Sequence, residues 1–413
     1  MRRVVITGIG AVSPIGLTAQ ESWDNCINGV SGVGPITLFD TSGFLVKIAC
    51  EVKGFDPTKS MNSAEARRRD RCQQLAATAA AEALQHSGLQ ISEENEYRVG
   101  VIISSAIGGI CTLENTVRVI DKSGARRASP FTIPMMMPNG PSGLVAIDIG
   151  AKGPALSVSS ACASSSDGIG LAWQYIKNGA SDVMLAGGAE ATICSVAVAS
   201  FDRLGAMSRR NDDYSMTPQP FDKNRDGLVM GEGSAVLVLE SLDSAQARGA
   251  NILAEMVSYG VTGDAFHITA PHEDGVGGAL AMRQAIDTAK LDITSIDYIN
   301  AHGTATQLND AAETRAIQTV FGEHARELAV SSTKSMTGHM MGATGSLEAV
   351  FCIQAIRSQL APPTIHYHTP DPECNLDYVP NKTREIPIKV AMSNSFGFGG
   401  HNSVLVFKKY MHD

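Results

Sequence analysis

The chain has 413 residues, 44% of them hydrophobic and 40 of them glycine, with a formal net charge of −9. That length suits two or three domains or one large double unit; the acidic balance argues against bulk nucleic-acid binding, and no apolar run is long enough to span a membrane. Eight cysteines stand at 26, 50, 72, 111, 162, 194, 352 and 374, none in a Cys-x-x-Cys pair, so neither a disulfide framework nor structural zinc is expected, and a reducing, cytoplasmic setting is.

Met1-Arg2-Arg3 followed by Val4-Val5-Ile6 resembles the start of a signal peptide. The apolar part is short, however, and Gly8, Gly10, Pro14 and Gly16 interrupt the next residues, so it reads as a first strand and turn. A helix is expected from near Ser63 to near Gly88, with Arg67, Arg68, Arg69 and Arg71 in its first turns. Positive charge there opposes the helix dipole at about 0.3–1 kcal/mol each. Docking an acidic partner gives the cluster a use; a solvated face balanced by Glu65 and Asp70 is the alternative. Further strands are expected at Arg98–Ser104, Ala155–Ala161, Asp182–Ala186 and Ala235–Leu239, with a helix at Ser164–Lys177. After Gly249-Ala250 the pattern repeats. Strands are expected at Ile252–Tyr259, Ile296–Ala301, Leu328–Ser332, Lys389–Asn394 and Ser403–Phe407, and helices at Gly278–Thr288, Asp310–Phe321 and Ser346–Ser358. Alternating strands and helices imply parallel sheet covered on both faces, here in two similar halves, 1–249 and 250–413.

Cys162 ends one apolar stretch and opens a run of tiny residues, Ala163-Ser164-Ser165-Ser166. A cysteine on a strand-to-helix turn faces backbone N–H groups and the positive end of the helix dipole, which predicts a lowered thiol pKa and a nucleophile. Small neighbours would let another molecule approach closely. The bland alternative is a buried cysteine acting as a small hydrophobe. Three other segments share this strand-end grammar: Asn300-Ala301-His302-Gly303-Thr304-Ala305-Thr306, Ser331 through Lys334-Ser335-Met336-Thr337-Gly338-His339 to Gly342, and Asn394-Ser395-Phe396-Gly397-Phe398-Gly399-Gly400. Ligand sites of open α/β sheets lie beyond the carboxyl ends of strands, so these loops can converge with Cys162. A Cys/His/His set is also a possible zinc site, which the wide separation of the three residues in sequence argues against.

Together these segments resemble the motifs of the β-ketoacyl-acyl-carrier-protein synthases, most closely the synthase II type, over nearly the whole chain. Ala186-Gly187-Gly188-Ala189-Glu190 and Pro220-Phe221-Asp222-Lys223-Asn224-Arg225-Asp226-Gly227 are intermediate landmarks. The resemblance implies a thiolase-like fold, with duplicated βαβαβαββ halves forming a five-layered αβαβα core, and a homodimer. It implies that Cys162 takes an acyl group from an acyl-carrier protein. His302 and His339, each through Nε2–H, would then stabilise the enolate formed when malonyl-acyl-carrier protein loses CO2.

The resemblance further implies that Lys334 orients His339 and sets the local field, that Glu348 supports the site, and that the backbone N–H groups of Cys162 and Phe398 form an oxyanion hole, with Phe398 also gating the acyl pocket. Thr304 and Thr306 would bind the phosphopantetheine arm, simple loop hydrogen bonding being their alternative. Ile107 and Phe396 would contact the acyl chain, plain core packing being the alternative for Ile107. Docking of the acidic carrier would fall to Arg67, Arg68, Arg71, Arg126 and Arg127. No metal and no dissociable cofactor is expected, since phosphopantetheine arrives on the carrier. Fatty-acid elongation, a ketosynthase of a polyketide or specialised-lipid pathway, and a non-catalytic chain-length factor are the functions such a chain can have; the last predicts loss of the cysteine.

Overall fold

The computed structural model describes residues 2–411; residues 1, 412 and 413, the outer ends of the two expected halves, lie outside it. Ten strands form the main sheet, labelled here in chain order. They are β1 (Val4–Val12), β2 (Val99–Ser104), β3 (Ala155–Leu156), β4 (Val183–Glu190), β5 (Gly233–Ser241), β6 (Ala254–Gly263), β7 (Tyr298–Asn300), β8 (Ala329–Ser331), β9 (Val390–Gly397) and β10 (His401–Lys408). Their spatial order is β8-β7-β9-β10-β6-β1-β5-β4-β2-β3. Read from either edge inward, each set of five has the same order and the same pattern of two parallel and two antiparallel pairings. The sets meet where β1 pairs antiparallel with β6, Val4 opposite Met256.

Six of the helices bear on the site and its supports: α1 (Arg71–Ser87), α2 (Ser164–Lys177), α3 (Ser195–Arg203), α4 (Val276–Ala289), α5 (Gln307–Phe321) and α6 (Thr344–Ser358). Both α2 and α6 touch strands of both sets and each other, so they form a central layer; α1 and α4 cover the outer faces. The expected five layers are present. The close fit of outer helix on strand comes from paired small residues. A Cβ on Gly10 would lie 2.1 Å from the Ala79 carbonyl oxygen, and one on Gly260 2.2 Å from that of Ala281. The same device serves α1 and α4.

The central layer explains the tiny residues after Cys162. Ser165 and Ser166 are fully buried. The backbone N–H of Ser346 donates to Ser165 Oγ at 3.0 Å, and a Cβ on Gly345 would meet Ser166 Oγ at 2.0 Å. These residues let α2 and α6 approach each other, whereas the sequence pattern suggested the approach of a second molecule.

Two elements differ from expectation. The expected Ser63–Ser87 helix is two helices, Ser63–Ala66 and α1, each opened by its own capping box, at Asn62/Glu65 and at Asp70/Gln73. A capping box satisfies the otherwise orphaned N–H groups of a helix start, so a new helix begins at Asp70. Arg67, Arg68 and Arg69 precede that start, so the dipole penalty does not arise for them. The Ala155–Ala161 strand pairs only at Ala155 and Leu156. After that the chain turns inward to Ser160, whose N–H donates to Ser164 Oγ at 3.0 Å.

The arginine cluster divides accordingly. Arg69 is buried and forks onto Asp148, with both contacts 2.6 Å. Arg71 forks onto buried Glu232 at 2.7 and 2.6 Å and donates to the Val52 carbonyl. Arg71 is therefore an internal cross-brace, and its expected docking role is withdrawn. Arg67, Arg126 and Arg127 are exposed, and Arg68 lies over the Phe131 ring at 4.9 Å. Removing one partner of a buried pair strands the other charge. Arg71→Ala should lower unfolding free energy by about 3 kcal/mol and Arg67→Ala by less than about 0.5 kcal/mol in denaturant titrations; equal effects would contradict the division.

Candidate active site

Cys162 lies in a 3₁₀ turn, Ala161–Ala163, directly before α2. Ala161 has φ 51°, a left-handed conformation costly for a residue with a Cβ. The turn swings the thiol into a cavity of about 440 Å³ lined also by His302, His339, Thr304, Thr306, Phe396 and Phe398. All three loops singled out in the sequence reach it.

His302 follows β7. Its N–H and that of Gly303 donate to the two carboxylate oxygens of Glu313, on α5, at 2.9 and 2.8 Å. Asn394 also donates to Glu313, at 3.1 Å, tying the β7 loop to β9. Burial pushes the Glu313 carboxyl up to about 7 against these donors. His339 is threaded between strand-like neighbours: its N–H donates to the Val229 carbonyl, and its own carbonyl accepts from Gly231, both at 2.8 Å. The His302 and His339 rings stand nearly perpendicular, with centroids 5.4 Å apart. Phe396 closes the far side, 5.9 Å from the His302 ring.

The central contact is between His339 Nε2 and Cys162 Sγ, at 3.1 Å. The other ring nitrogen, Nδ1, meets Thr344 Oγ1 at 2.9 Å. A hydroxyl both donates and accepts, so Thr344 serves either tautomer of the ring. Of the two roles expected of Lys334, orienting His339 by a hydrogen bond is not seen, whereas setting the local field is. Its ammonium donates to Glu348 Oε1 at 2.5 Å, both side chains being buried. Lys334 acts on the rings through its charge. Burial first, and that charge second, hold both histidines well below the usual imidazole range, so both are neutral at pH 7. Burial pushes Glu348 up to about 7, with Lys334 pulling it down.

The thiol departs furthest from the sequence-based expectation. Burial raises Cys162 to about 11, although the Phe398 backbone N–H and Lys334 pull the other way. The helix start therefore does not make a free thiolate here. Reactivity rests on the neutral imidazole at 3.1 Å, which can accept the proton as the sulfur attacks.

Thr304 and Thr306 line the cavity with their hydroxyls 2.9 Å apart. The Phe398 ring stacks on Phe201 of α3, centroids 6.1 Å apart. Ile107 does not line this cavity; the residue is 37% exposed. Arg67, Arg68, Arg126 and Arg127 do not line it either. Thr344 and Glu313 were missed in the sequence, because neither lies in a motif: Thr344 precedes the helix expected from Ser346, and Glu313 lies within the helix expected at Asp310–Phe321. The ligating atoms of Cys162, His302 and His339 lie within 4.8 Å of one another, so distance in sequence was no argument against a metal. The charge of Lys334 acts on all three groups and disfavours a cation between them.

A thiol of pKa about 11 is mostly protonated throughout the neutral range. Alkylation of Cys162 by iodoacetamide should rise about tenfold per pH unit between roughly pH 7 and 9, without a plateau. A plateau near neutrality, followed by peptide mass spectrometry, would show a stabilised thiolate instead.

Comparison with known proteins agrees with the geometry. Residues 1–245 match the Beta-ketoacyl synthase, N-terminal domain, and residues 253–368 the Beta-ketoacyl synthase, C-terminal domain. The 3-oxoacyl-[acyl-carrier-protein] synthase 2 of Staphylococcus aureus is 50% identical over 409 residues, covering 99% of each chain. A beta-ketoacyl synthase from Burkholderia phymatum superposes with a TM-score of 0.92 at 37% identity, covering 100% of both chains. A ketosynthase solved in complex with its type II polyketide acyl-carrier protein and bound to the hexaketide gives a TM-score of 0.92 at 35% identity, covering 99% of this chain and 100% of that one. Matched from end to end in sequence and in fold, the chain belongs to the beta-ketoacyl synthase family.

Proposed function

We propose that the protein condenses an acyl group, held on Cys162, with malonyl-acyl-carrier protein to give β-ketoacyl-acyl-carrier protein and CO2 in fatty-acid chain elongation. The observation that carries this reading is a thiol 3.1 Å from a neutral imidazole, with a second neutral imidazole beside it and the Phe398 N–H on the sulfur. In the first half-reaction Sγ attacks the thioester carbonyl of the acyl carrier. The thiol proton passes to His339 Nε2 and on to the departing phosphopantetheine sulfur. The N–H groups of Cys162 and Phe398 receive the tetrahedral oxyanion. In the second, malonyl carrier loses CO2, and the resulting enolate carbon attacks the acyl-cysteine and expels the thiolate, which takes up a proton from solvent to restore the thiol. His302 and His339 donate Nε2–H bonds to the enolate oxygen, and the Thr344 hydroxyl donates to His339 Nδ1 in that tautomer. Donors held in place in a dry site stabilise such charge more strongly than water does.

Fatty-acid elongation is favoured over a polyketide role by the 50% identity to a 3-oxoacyl-[acyl-carrier-protein] synthase 2, against 35% to the polyketide ketosynthase. A chain-length factor has no use for the nucleophile that this chain retains. The partner is an acidic acyl-carrier protein, as a carrier is the partner of that ketosynthase, with Arg67, Arg68, Arg126 and Arg127 as docking candidates. Its phosphopantetheine arm meets Thr304 and Thr306, and no separate cofactor is needed. Homodimerisation is supported by an apolar surface on the helix Ile110–Ser123, where Leu113, Val117 and Ile120 are exposed, as is Ile133; Ile107, exposed outside the cavity, stays a candidate acyl-chain contact. Among the described residues no helix is long and apolar enough to cross a membrane, and all eight cysteines are free, which fits a cytoplasmic enzyme.

Intact-protein mass spectrometry after mixing with acyl-acyl-carrier proteins of graded length should give an adduct mapping to Cys162, discharged by malonyl carrier. Cys162→Ala should give no adduct and no elongation; residual elongation would sink the nucleophile assignment. His302→Ala should slow malonyl decarboxylation far more than acylation of Cys162, and equal losses would contradict the division of roles. A Cβ on Gly397 would stand 2.8 Å from the Ser160 carbonyl oxygen and 3.1 Å from the Cys162 nitrogen, crowding the nucleophile turn and its N–H groups. Gly397→Ala should therefore slow acylation about a hundredfold, measured as adduct formation in single turnover.

A further inference from the structure

The duplication extends to the nucleophile turn. The 3₁₀ turn Ala161–Ala163 leads into α2, and the 3₁₀ turn Met341–Ala343 leads into α6. Each turn opens on a residue with positive φ, 51° at Ala161 and 46° at Met341. Each helix is preceded by an alanine with nearly the same φ, −89° at Ala163 and −87° at Ala343. Gly342 therefore occupies in the second half the place that Cys162 occupies in the first. The facing strands correspond as well: β4 and β9 hold equivalent positions in the sheet order, and both are eight residues long. The last residue of β9 is Gly397, whose missing side chain leaves the Cys162 N–H open. The last residue of β4 is Glu190.

The Glu190 side chain fills what Gly397 leaves empty. Its Oε2 accepts from the Gly342 N–H at 3.0 Å and the Ala106 N–H at 2.8 Å. Its Oε1 accepts from Ser105 Oγ at 2.7 Å and the Ile107 N–H at 3.3 Å. The Ser105 hydroxyl is set as a donor because it already accepts the Gly108 N–H. Four donors on two oxygens leave no place for an amide NH2. Glu190 is fully buried. A Cβ on Gly342 would lie 2.6 Å from Glu190 Oε2 and 2.5 Å from the Ala106 nitrogen, so no nucleophile fits there.

We propose that the Gly342 turn is a second, blind oxyanion nest whose resident anion is the Glu190 carboxylate. Through it Glu190 acts as a positioning residue, joining the loop of Ala106 and Ile107 to the His339–Gly342 segment. In the active half the nest is open and receives a transient oxyanion; in the other half it is permanently occupied and serves as a clamp. The charge also reaches the reacting sulfur, since Glu190 is one of the groups that raise the Cys162 pKa. Burial pushes the Glu190 carboxyl up and its four donors pull it back.

The inference rests on the condensation reading only for its turnover readout; alkylation of Cys162 needs no substrate. Glu190→Ala leaves four buried donors unpaired and a space for a small carboxylate. Its kcat should fall about tenfold, with the KM for malonyl carrier less affected. Sodium formate should restore kcat along a saturating curve, while formamide and sodium chloride at matched ionic strength should not. Glu190→Gln should alkylate at Cys162 faster than the unsubstituted chain at one fixed neutral pH, because the opposing charge is gone. Unchanged kcat in Glu190→Ala, or equal effects of formate and formamide, overturns the proposal. So does alkylation of Glu190→Gln at or below the original rate. If Glu190→Ala is recovered only unfolded, refolding yield replaces kcat as the readout: a gain specific to formate supports the nest, and equal yields overturn it. If elongation is absent even from the unsubstituted chain, the condensation reading fails on its own, and the alkylation comparison still decides this one.

Discussion

The contact on which the rest of the structure depends is the 3.1 Å approach of His339 Nε2 to Cys162 Sγ, made between residues 177 apart in sequence. Neither group is activated by itself. The thiol is buried and holds its proton, and the imidazole is neutral. Chemistry becomes accessible only because each lies within proton-transfer distance of the other. That distance is set by the central pair of helices. Cys162 leads into α2 and His339 stands a few residues before α6, and the two helices meet through serine and glycine. A larger side chain at Ser166 or Gly345 would separate the helix starts and stretch the contact. The small-residue seam is thus part of the site, although it touches no substrate.

A single buried cation organises the electrostatics. Lys334 bonds to Glu348 and is silent as a hydrogen-bond partner of the rings. Its field nevertheless lowers both histidines and favours the thiolate over the thiol. Paired with Glu348 alone, the ammonium stays in place without being neutralised by direct contact with the reacting groups. A fixed positive charge near two neutral imidazoles suits a reaction that creates negative charge on oxygen, because the imidazoles remain hydrogen-bond donors and the field is already oriented before the charge appears. The pair is also a structural commitment, as a buried charge without its partner costs several kcal/mol.

Duplication supplied two equivalent crevices, and side chains at the strand ends made them different. Glycine at 397 leaves backbone N–H groups accessible beside the thiol, whereas glutamate at 190 consumes their counterparts. The same backbone geometry thus yields a reactive pocket in one half and a rigid joint in the other. The asymmetry has a physical logic: the loops that carry His339 and Ile107 need an anchor, and an internal carboxylate holding four donors provides one without occupying the reactive crevice.

Much of this was legible in the chain. Strand-end loops rich in glycine and small residues mark where backbone must turn tightly at the carboxyl edge of a sheet, so Cys162, His302, His339 and Phe398 stood out before any fold was known. The repeat of strand and helix patterns pointed to two similar α/β halves, since periodicity reports local geometry directly, but it implied parallel sheet; the layered core came from the family resemblance, and the antiparallel pairings within and between the halves only from the structure. Even the break between the two helices at Asp70 is written in the chain, in two capping boxes that the apolar pattern obscured. Pairing across space is different. Only the tertiary structure decided that Lys334 takes Glu348 and not His339, that Thr344 serves the ring, that Arg71 is spent on Glu232, and that burial outweighs the helix start at Cys162. Each of these depends on which groups are brought together from distant segments and on how much water is excluded around them, and neither quantity is a property of a residue and its sequence neighbours.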